Sequence, residues 1–310
     1  MKIFLSGGSG MVGQNILGHN DFNKHTIYAP NSSELDLLDK QAVADFLNDA
    51  KPNLIIHAAG HVGGIQANIA NPVKFLRNNI NIGMNIISEA YASGIPNLIN
   101  LASSCMYPRN ASNPLKENLI LTGELEPTNE GYALSKIVST RLCEYINLED
   151  KTKNYKTIIP CNLYGKFDKF GTSNSHLIPA VIKKVYEAIQ NNEKSVEIWG
   201  DGSARREFMS ASDLADFIYF ITDKIELMPQ NLNVGLGYDY SIKQYYEAVS
   251  KVLNYEGEFS YNLSRPVGMK QKLVDVEQLK TLGWKPKTDL LEGIQEAFNY
   301  YISKKDQHGI

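Results

Sequence analysis

The start of the chain constrains the fold more than any other feature. An apolar run, Lys2-Ile3-Phe4-Leu5-Ser6, leads directly into Gly7-Gly8-Ser9-Gly10-Met11-Val12-Gly13. Glycines at these spacings suit a turn that leaves a strand and opens a helix. Gly7 permits the tight turn, Gly10 lets a backbone approach a ligand closely, and Gly13 allows the helix to pack against the strand. The helix start then offers backbone N–H groups and a favourable dipole to an anion such as a pyrophosphate. Gly7, Gly10, Met11, Val12 and Gly13 are therefore candidate dinucleotide-binding residues.

The first half of the chain continues the same rhythm. Apolar runs at 25–28, 53–57, 97–102 and 157–163 alternate with helical patterns at 41–48, 75–92 and 132–148. Most runs are too short for helices and end in small residues, as buried parallel strands do. The repetition predicts a Rossmann-type α/β fold, a doubly wound parallel sheet with helices on both faces. Beyond about residue 165 the pattern changes to a helix at 179–190, a short strand at 196–199 and a helix at 213–224. A smaller C-terminal α/β substrate domain is expected there. The expected division is 1–165, with a returning segment near 211–235, for the dinucleotide, and 166–210 with 236–310 for the substrate. Tyr245, Tyr246, Tyr255, Tyr261, Tyr300 and Tyr301 are expected in the core or at its rim, and 303–310 are expected to fray.

Composition excludes several classes. A formal charge of −3 over 310 residues does not suit a nucleic-acid surface. No apolar run reaches the roughly 18 residues a membrane helix needs, and the chain enters its first strand without a leader. Cys105, Cys143 and Cys161 show no metal-type spacing and cannot all pair, which fits a reducing compartment. A cytoplasmic protein with no metal, membrane or nucleic-acid partner is expected.

The second strand should end near Asn31-Ser32-Ser33-Glu34, where a dinucleotide's adenosine ribose would lie. A carboxylate there favours a free 2′-hydroxyl and an Arg favours a 2′-phosphate; the segment carries neither signal cleanly. Asn31 and Ser32, with Asp36 and Leu37 further on and Ala58 and Ala59 after the third strand, complete the candidate cofactor set. Tyr132 and Lys136 are four residues apart and share one face of a helix. An ammonium beside a phenol stabilises the phenolate, which predicts a lowered Tyr132 pKa and a proton donor or acceptor near neutrality. Ser103 follows the strand at 97–102, at the strand end that lines the ligand crevice of a parallel sheet. A hydroxyl, a phenol and a phosphate loop converging there describe a hydride-transfer site: Ser103 would hydrogen-bond a carbonyl and Tyr132 would exchange a proton with it.

These residues resemble the extended short-chain dehydrogenases/reductases that act on nucleotide sugars, and within them the GDP-L-fucose synthase family. The resemblance runs over nearly the whole chain. It includes Ser103-Ser104-Cys105-Met106-Tyr107-Pro108, Asn162-Leu163-Tyr164-Gly165, Ser173-Asn174-Ser175-His176, Arg205-Arg206-Glu207-Phe208 and Gln271-Lys272-Leu273-Val274-Asp275. It implies NADPH-dependent reduction of the C4 ketone of a GDP-linked 4-keto-6-deoxy sugar, preceded by C3/C5 epimerisation, in a homodimer across which 75–92 and 132–148 could pair. Cys105 aligns with the family's epimerisation base and His176 with the acid on the opposite face of the sugar. Asn162, Lys183, Trp199, Arg206 and Lys270 would meet the nucleotide sugar, and spacing alone leaves open whether Arg205 or Arg206 points inward.

The chain departs from the family pattern in three places. Ser9 and the 30–33 segment stand where the family has arginines that serve the NADP phosphate, which implies a weaker preference over NAD. His61 replaces a Lys near the sugar, and Gly165-Lys166-Phe167-Asp168-Lys169-Phe170 replaces a familiar loop. These departures admit a C4 reductase of a GDP-4-keto-heptose without epimerisation, and separately, because fold alone does not fix chemistry, a non-catalytic dinucleotide sensor stands as a rival reading.

Overall fold

The computed structural model describes residues 1–171, 175–265 and 268–308. Six strands, β1 (Lys2–Ser6), β2 (Thr26–Tyr28), β3 (Leu54–His57), β4 (Asn97–Leu101), β5 (Asn154–Pro160) and β10 (Asn231–Val234), form one sheet in the order β10-β5-β4-β3-β1-β2. Every pairing in it is parallel. The chain steps from β1 outward to β2 and returns across β1 to β3, so the strand order reverses between β1 and β3. In such sheets the ligand crevice opens at that reversal, outside the carboxyl ends of the strands.

Alternation along β1 shows why the sheet is covered on both sides. Ile3 and Leu5 face one core with Ile16 of α1 (Met11–Leu17) and Leu214, Phe217 and Ile218 of α7 (Ala211–Thr222). Phe4 faces a second core with Val43 and Leu47 of α2 (Lys40–Ala50), Ile86 and Ile87 of α4 (Pro72–Ala92), and Cys143 and Ile146 of α5 (Glu130–Glu149). Burying each such aliphatic side chain stabilises the fold by about 1.5–3 kcal/mol, so polar substitution at Phe4 or Leu5 would break a layer. The short α3 (Ile65–Ala70) precedes α4.

A third core lies over the later chain. It is built by α6 (Leu177–Gln190), α8 (Ile242–Leu253) and α10 (Leu290–His308) against the parallel pair β7 (Ser195–Trp199) and β12 (Glu258–Asn262). Two small sheets connect it to the large one: β6 (Asn162–Tyr164) with β9 (Phe208–Ser210), and β11 (Tyr240–Ser241), β8 (Arg205–Arg206) and β13 (Gln271–Lys272) in the order β11-β8-β13. α9 (Glu277–Thr281) lies between β13 and α10.

Two expectations change. The expected strand at 157–163 is two strands in different sheets. Pro160 ends the β5 ladder, and the Cys161 N–H donates to the Val234 carbonyl before β6 starts a new pairing with β9. The expected fraying of 303–310 is not seen through His308, because α10 continues there. Tyr300 and Tyr301 hold it, packing on Phe167, Phe170 and Tyr186, and Lys305 lies over the Tyr186 ring. Of the tail tyrosines, Tyr245 and Tyr246 are buried and Tyr261 is 43% exposed, as expected for core and rim.

Candidate active site

The glycine loop closes on the end of β3. Gly7 has φ +78°, and a Cβ there would stand 2.7 Å from the Ala59 nitrogen. A Cβ on Gly13 would stand 2.2 Å from the Gly7 carbonyl oxygen. Neither position accepts a side chain, so the turn and the start of α1 are forced together at the sheet's reversal point. Ser6 and His57 lock the same corner: their side chains meet at 2.8 Å, and the Ala59 N–H donates to the Ser6 hydroxyl at 3.3 Å. Burial pushes the His57 pKa down to about 3, with Lys136 second, so His57 is a neutral structural residue. Gly10 opens α1 with no side-chain cap, and a Cβ there would meet only the Gly7 carbonyl, at 3.4 Å. This cradle fits a dinucleotide pyrophosphate, with Gly10, Met11 and Val12 at its mouth.

The segment after β2 holds itself. Asn31 accepts from the Ser33 N–H at 2.8 Å, and its own N–H donates to Glu34 at 2.8 Å. Asp36 accepts from the Leu38 N–H at 2.9 Å, and Leu37 packs against the α2–α4 core. Ser32 is exposed. The nearest cation in sequence, Lys40, pairs with Glu89 at 3.4 Å.

At the end of β4, Ser103 caps a 3-10 turn (Ser104–Met106) and its hydroxyl accepts from the Cys105 N–H at 3.3 Å. The same hydroxyl also hydrogen-bonds the Cys105 thiol, so a substrate oxygen would compete with that sulfur for its proton. From α5, the Lys136 ammonium donates to the Leu101 carbonyl at 2.9 Å and stands 5.8 Å from the centre of the Tyr132 ring. Burial brings the Lys136 pKa down to about 8, with Cys105 acting in the opposite sense. The structure thus gathers Ser103, Cys105, Tyr132 and Lys136. It corrects one expectation: the Tyr132 pKa is raised, not lowered. Burial is the main cause and Cys105 adds to it; removing the phenol from water outweighs the nearby ammonium. The Cys105 thiol is likewise raised by burial. Lys272, a Ser103 hydrogen bond and Lys136 pull it down, in that order.

His176 is exposed and stands at the N-cap of α6; Ser173 and Asn174 of its motif lie outside the described residues. Its electrostatic neighbour is Asp168, in the unusual 165–170 loop, whose carboxyl is raised by burial and lowered by His176. His61, held by Asn79 through its backbone, stacks edge-on to Phe75 at 4.8 Å and feels Lys74 and Lys169.

The substrate candidates divide. Asn162 donates its side-chain amide to the Glu207 carbonyl at 2.8 Å. Arg205 is bound to Asp239 by its Nε at 2.7 Å, whereas half-buried Arg206 donates to the Arg205 carbonyl. Lys183 pairs with Glu187 at 3.6 Å, Trp199 is 42% exposed beneath the Arg265 guanidinium at 5.0 Å, and Lys270 is exposed.

Sequence reasoning passed over Lys272 and Glu207. Glu207 is fully buried and accepts from the N–H groups of Leu236, Gly237 and Val274 at 2.6–2.9 Å, joining β9's neighbourhood to the last third of the chain. Burial pushes its pKa up to about 7 against those amides. A lone carboxylate between Arg206 and the apolar Phe208-Met209 was the available signal.

The profile of the NAD dependent epimerase/dehydratase family matches residues 3–235. The chain is 55% identical over 306 residues to the GDP-L-colitose synthase of Yersinia pseudotuberculosis, covering 99% of each. It is 47% identical to the GDP-L-fucose synthase of Azorhizobium caulinodans, covering 97% of this chain and 96% of that protein. Among solved structures, the GDP-mannoheptose C4 reductase from Campylobacter jejuni with NADP bound superposes with a TM-score of 0.87 at 32% identity, covering 97% and 98%.

Proposed function

The chain belongs to the NAD dependent epimerase/dehydratase family and is an oxidoreductase, and from that premise we propose that it uses NADPH to reduce the C4 ketone of a GDP-linked 4-keto-6-deoxy sugar after epimerising the carbons beside that ketone. The observation that carries the reading is the meeting of Ser103, Tyr132 and Lys136 beside the glycine cradle at the sheet's reversal point.

The 7–13 loop would hold NADPH, whose chemistry at this site would be supply of the hydride to C4. Ser103 donates its hydroxyl proton in a hydrogen bond to the C4 oxygen and orients the ketone. Tyr132 gives its proton to that oxygen as negative charge develops there. Its raised pKa serves this direction of reaction, since the phenol is fully protonated at neutral pH. Lys136, still cationic near neutrality, stabilises the phenolate that remains. For epimerisation, Cys105 withdraws a proton from C3 or C5 and His176 returns one from the other face, while Ser103 and Tyr132 hold the enolate oxygen. Asn162, Lys183, Trp199, Arg206 and Lys270 bind the rest of the nucleotide sugar, and 1–165 with 211–235 form the cofactor half. We read the assembly as a homodimer in the cytoplasm. No described helix is long and apolar enough to cross a membrane.

The similarity to the colitose synthase makes GDP-L-colitose a product candidate beside GDP-L-fucose. The structural similarity to the heptose reductase supports a second reading, C4 reduction without epimerisation. Oxidation of NADPH followed by absorbance with purified GDP-4-keto hexoses and heptoses separates them. Turnover with 6-deoxyhexoses supports the first reading; turnover with heptoses alone supports the second.

A further inference from the structure

Strand β7 turns one side to the third core and the other to solvent. Val196 and Ile198 are buried, and Glu197 and Trp199 alternate with them on the outer face. Trp199 is 42% exposed, whereas Trp284, the other tryptophan of the chain, is buried with its indole N–H on Asp216 at 2.7 Å. Asn262 of β12, the register partner of Trp199, brings a cation to the open indole. The Asn262 side-chain amide donates to Glu197 at 2.9 Å, and its side-chain oxygen accepts from the Ser264 hydroxyl at 2.7 Å. Its carbonyl accepts from the Gly200 N–H at 2.9 Å and from the Arg265 N–H at 3.3 Å. The chain therefore turns back directly after β12 and lays the Arg265 guanidinium over the indole, 5.0 Å from the ring centre. Arg265 is exposed, and its guanidinium has no hydrogen bond or ion pair among the described residues. A fork of N–H donors thus stands unused beside an open aromatic face.

We propose that Trp199 and Arg265 form the clamp that reads the base of the substrate's nucleotide, Trp199 by stacking on guanine and Arg265 by a bidentate hydrogen bond to its O6 and N7. This rests on the reading that the substrate carries a GDP group. A base held between indole and guanidinium needs a gap of about 7 Å, two van der Waals layers, and the gap is 5.0 Å. A base that takes the indole face therefore moves the guanidinium from above the ring to the base's edge. At that edge guanine presents two acceptors, which match the planar fork of an arginine. Adenine presents a donor beside N7, and uracil a single acceptor beside a C–H, so neither satisfies both arms. Stacking on the indole tolerates any base, so discrimination between bases falls on Arg265. The two residues come from segments more than sixty positions apart, and Asn262 joins them by bonding to Glu197, Gly200 and Arg265 at once.

The test is calorimetric titration of the full chain, saturated with NADP, using GDP, ADP and UDP as probes. Wild type should bind GDP at least about tenfold more tightly than ADP or UDP. Arg265→Met should weaken GDP by about tenfold and leave ADP within about twofold. Arg265→Lys, which keeps the charge and loses the fork, should lose the preference as well. Trp199→Leu should weaken GDP and ADP alike, by about tenfold. Circular dichroism checks the fold of each variant, and either Arg265 substitution suffices if the other folds poorly. Equal weakening of GDP and ADP by Arg265→Met would place this arginine on the diphosphate and overturn the clamp. A wild-type preference for GDP that survives both Arg265 substitutions overturns the clamp and leaves the GDP reading standing. A wild type that binds ADP or UDP as tightly as GDP removes both.

Discussion

The Lys136 ammonium donates to the Leu101 carbonyl at 2.9 Å, tying the helix that carries Tyr132 to the strand that delivers Ser103. The bond explains how two residues 29 positions apart in sequence, Ser103 and Tyr132, keep one geometry across the crevice. It also sets a pH limit. Lys136 is cationic below its pKa of about 8, so its support for the phenolate fades as pH rises through that value. The kcat for reduction should fall there, and a rate that stays level well into the alkaline range would contradict this role.

Tyr132→Phe removes the proton that neutralises the developing alkoxide. The loss should fall on kcat and be at least about 100-fold, as for other positioned general acids. Cofactor binding, measured by fluorescence titration, should change little. Near-normal turnover would mean that another group is the donor.

NADPH should bind more tightly than NADH, but by a smaller margin than an arginine-clamped site gives. Asn31 and Ser33 are occupied with each other, whereas exposed Ser32 is open to substitution. Ser32→Arg should tighten NADPH by about tenfold, the worth of a charge-assisted contact to a phosphate, and leave NADH nearly unchanged. Equal effects on both cofactors would place the 2′-phosphate elsewhere.

Glu207 should make stability depend on pH. Its folded pKa is raised from 4.5 to about 7. A carboxyl raised in this way contributes fully below its unfolded pKa, and that contribution is lost as pH rises through the folded value. The loss is on the order of 3 kcal/mol for a shift of this size. Glu207→Gln is expected to be less stable overall, because it cannot accept from three amides. Its denaturant midpoint, however, should vary less between pH 5 and about 8 than that of wild type. Parallel profiles would show that Glu207 does not titrate in this window.

Much of the cofactor half was legible in the sequence because its constraints are local. Gly7 turns at φ +78° and Gly13 admits no Cβ against the Gly7 carbonyl, both within the loop itself, and the buried runs at β3 and β4 show the parallel sheet directly. The pairing of Tyr132 and Lys136 on α5, the proposed catalytic pair, followed from helical spacing. What was not legible depends on pairing between distant segments. Glu207 meets the amides of Leu236, Gly237 and Val274 only because distant segments fold around β9, and no spacing rule announces such a contact. The direction of the Tyr132 shift depended on the depth of the crevice, which spacing does not report. The break at Cys161 came from a choice between two sheets that the apolar run satisfies equally well.

The central claim, epimerisation followed by C4 reduction on one site, is tested most directly by NMR of a GDP-4-keto-6-deoxy sugar incubated with the protein in deuterated water. Without NADPH, deuterium should enter the carbons beside the ketone in wild type and nearly vanish in Cys105→Ser, since a neutral alcohol is a far weaker base than a thiolate. With NADPH, the wild-type product should carry that deuterium and a C4 hydroxyl. A wild type that reduces the ketone while leaving both neighbouring carbons unlabelled would contradict the account.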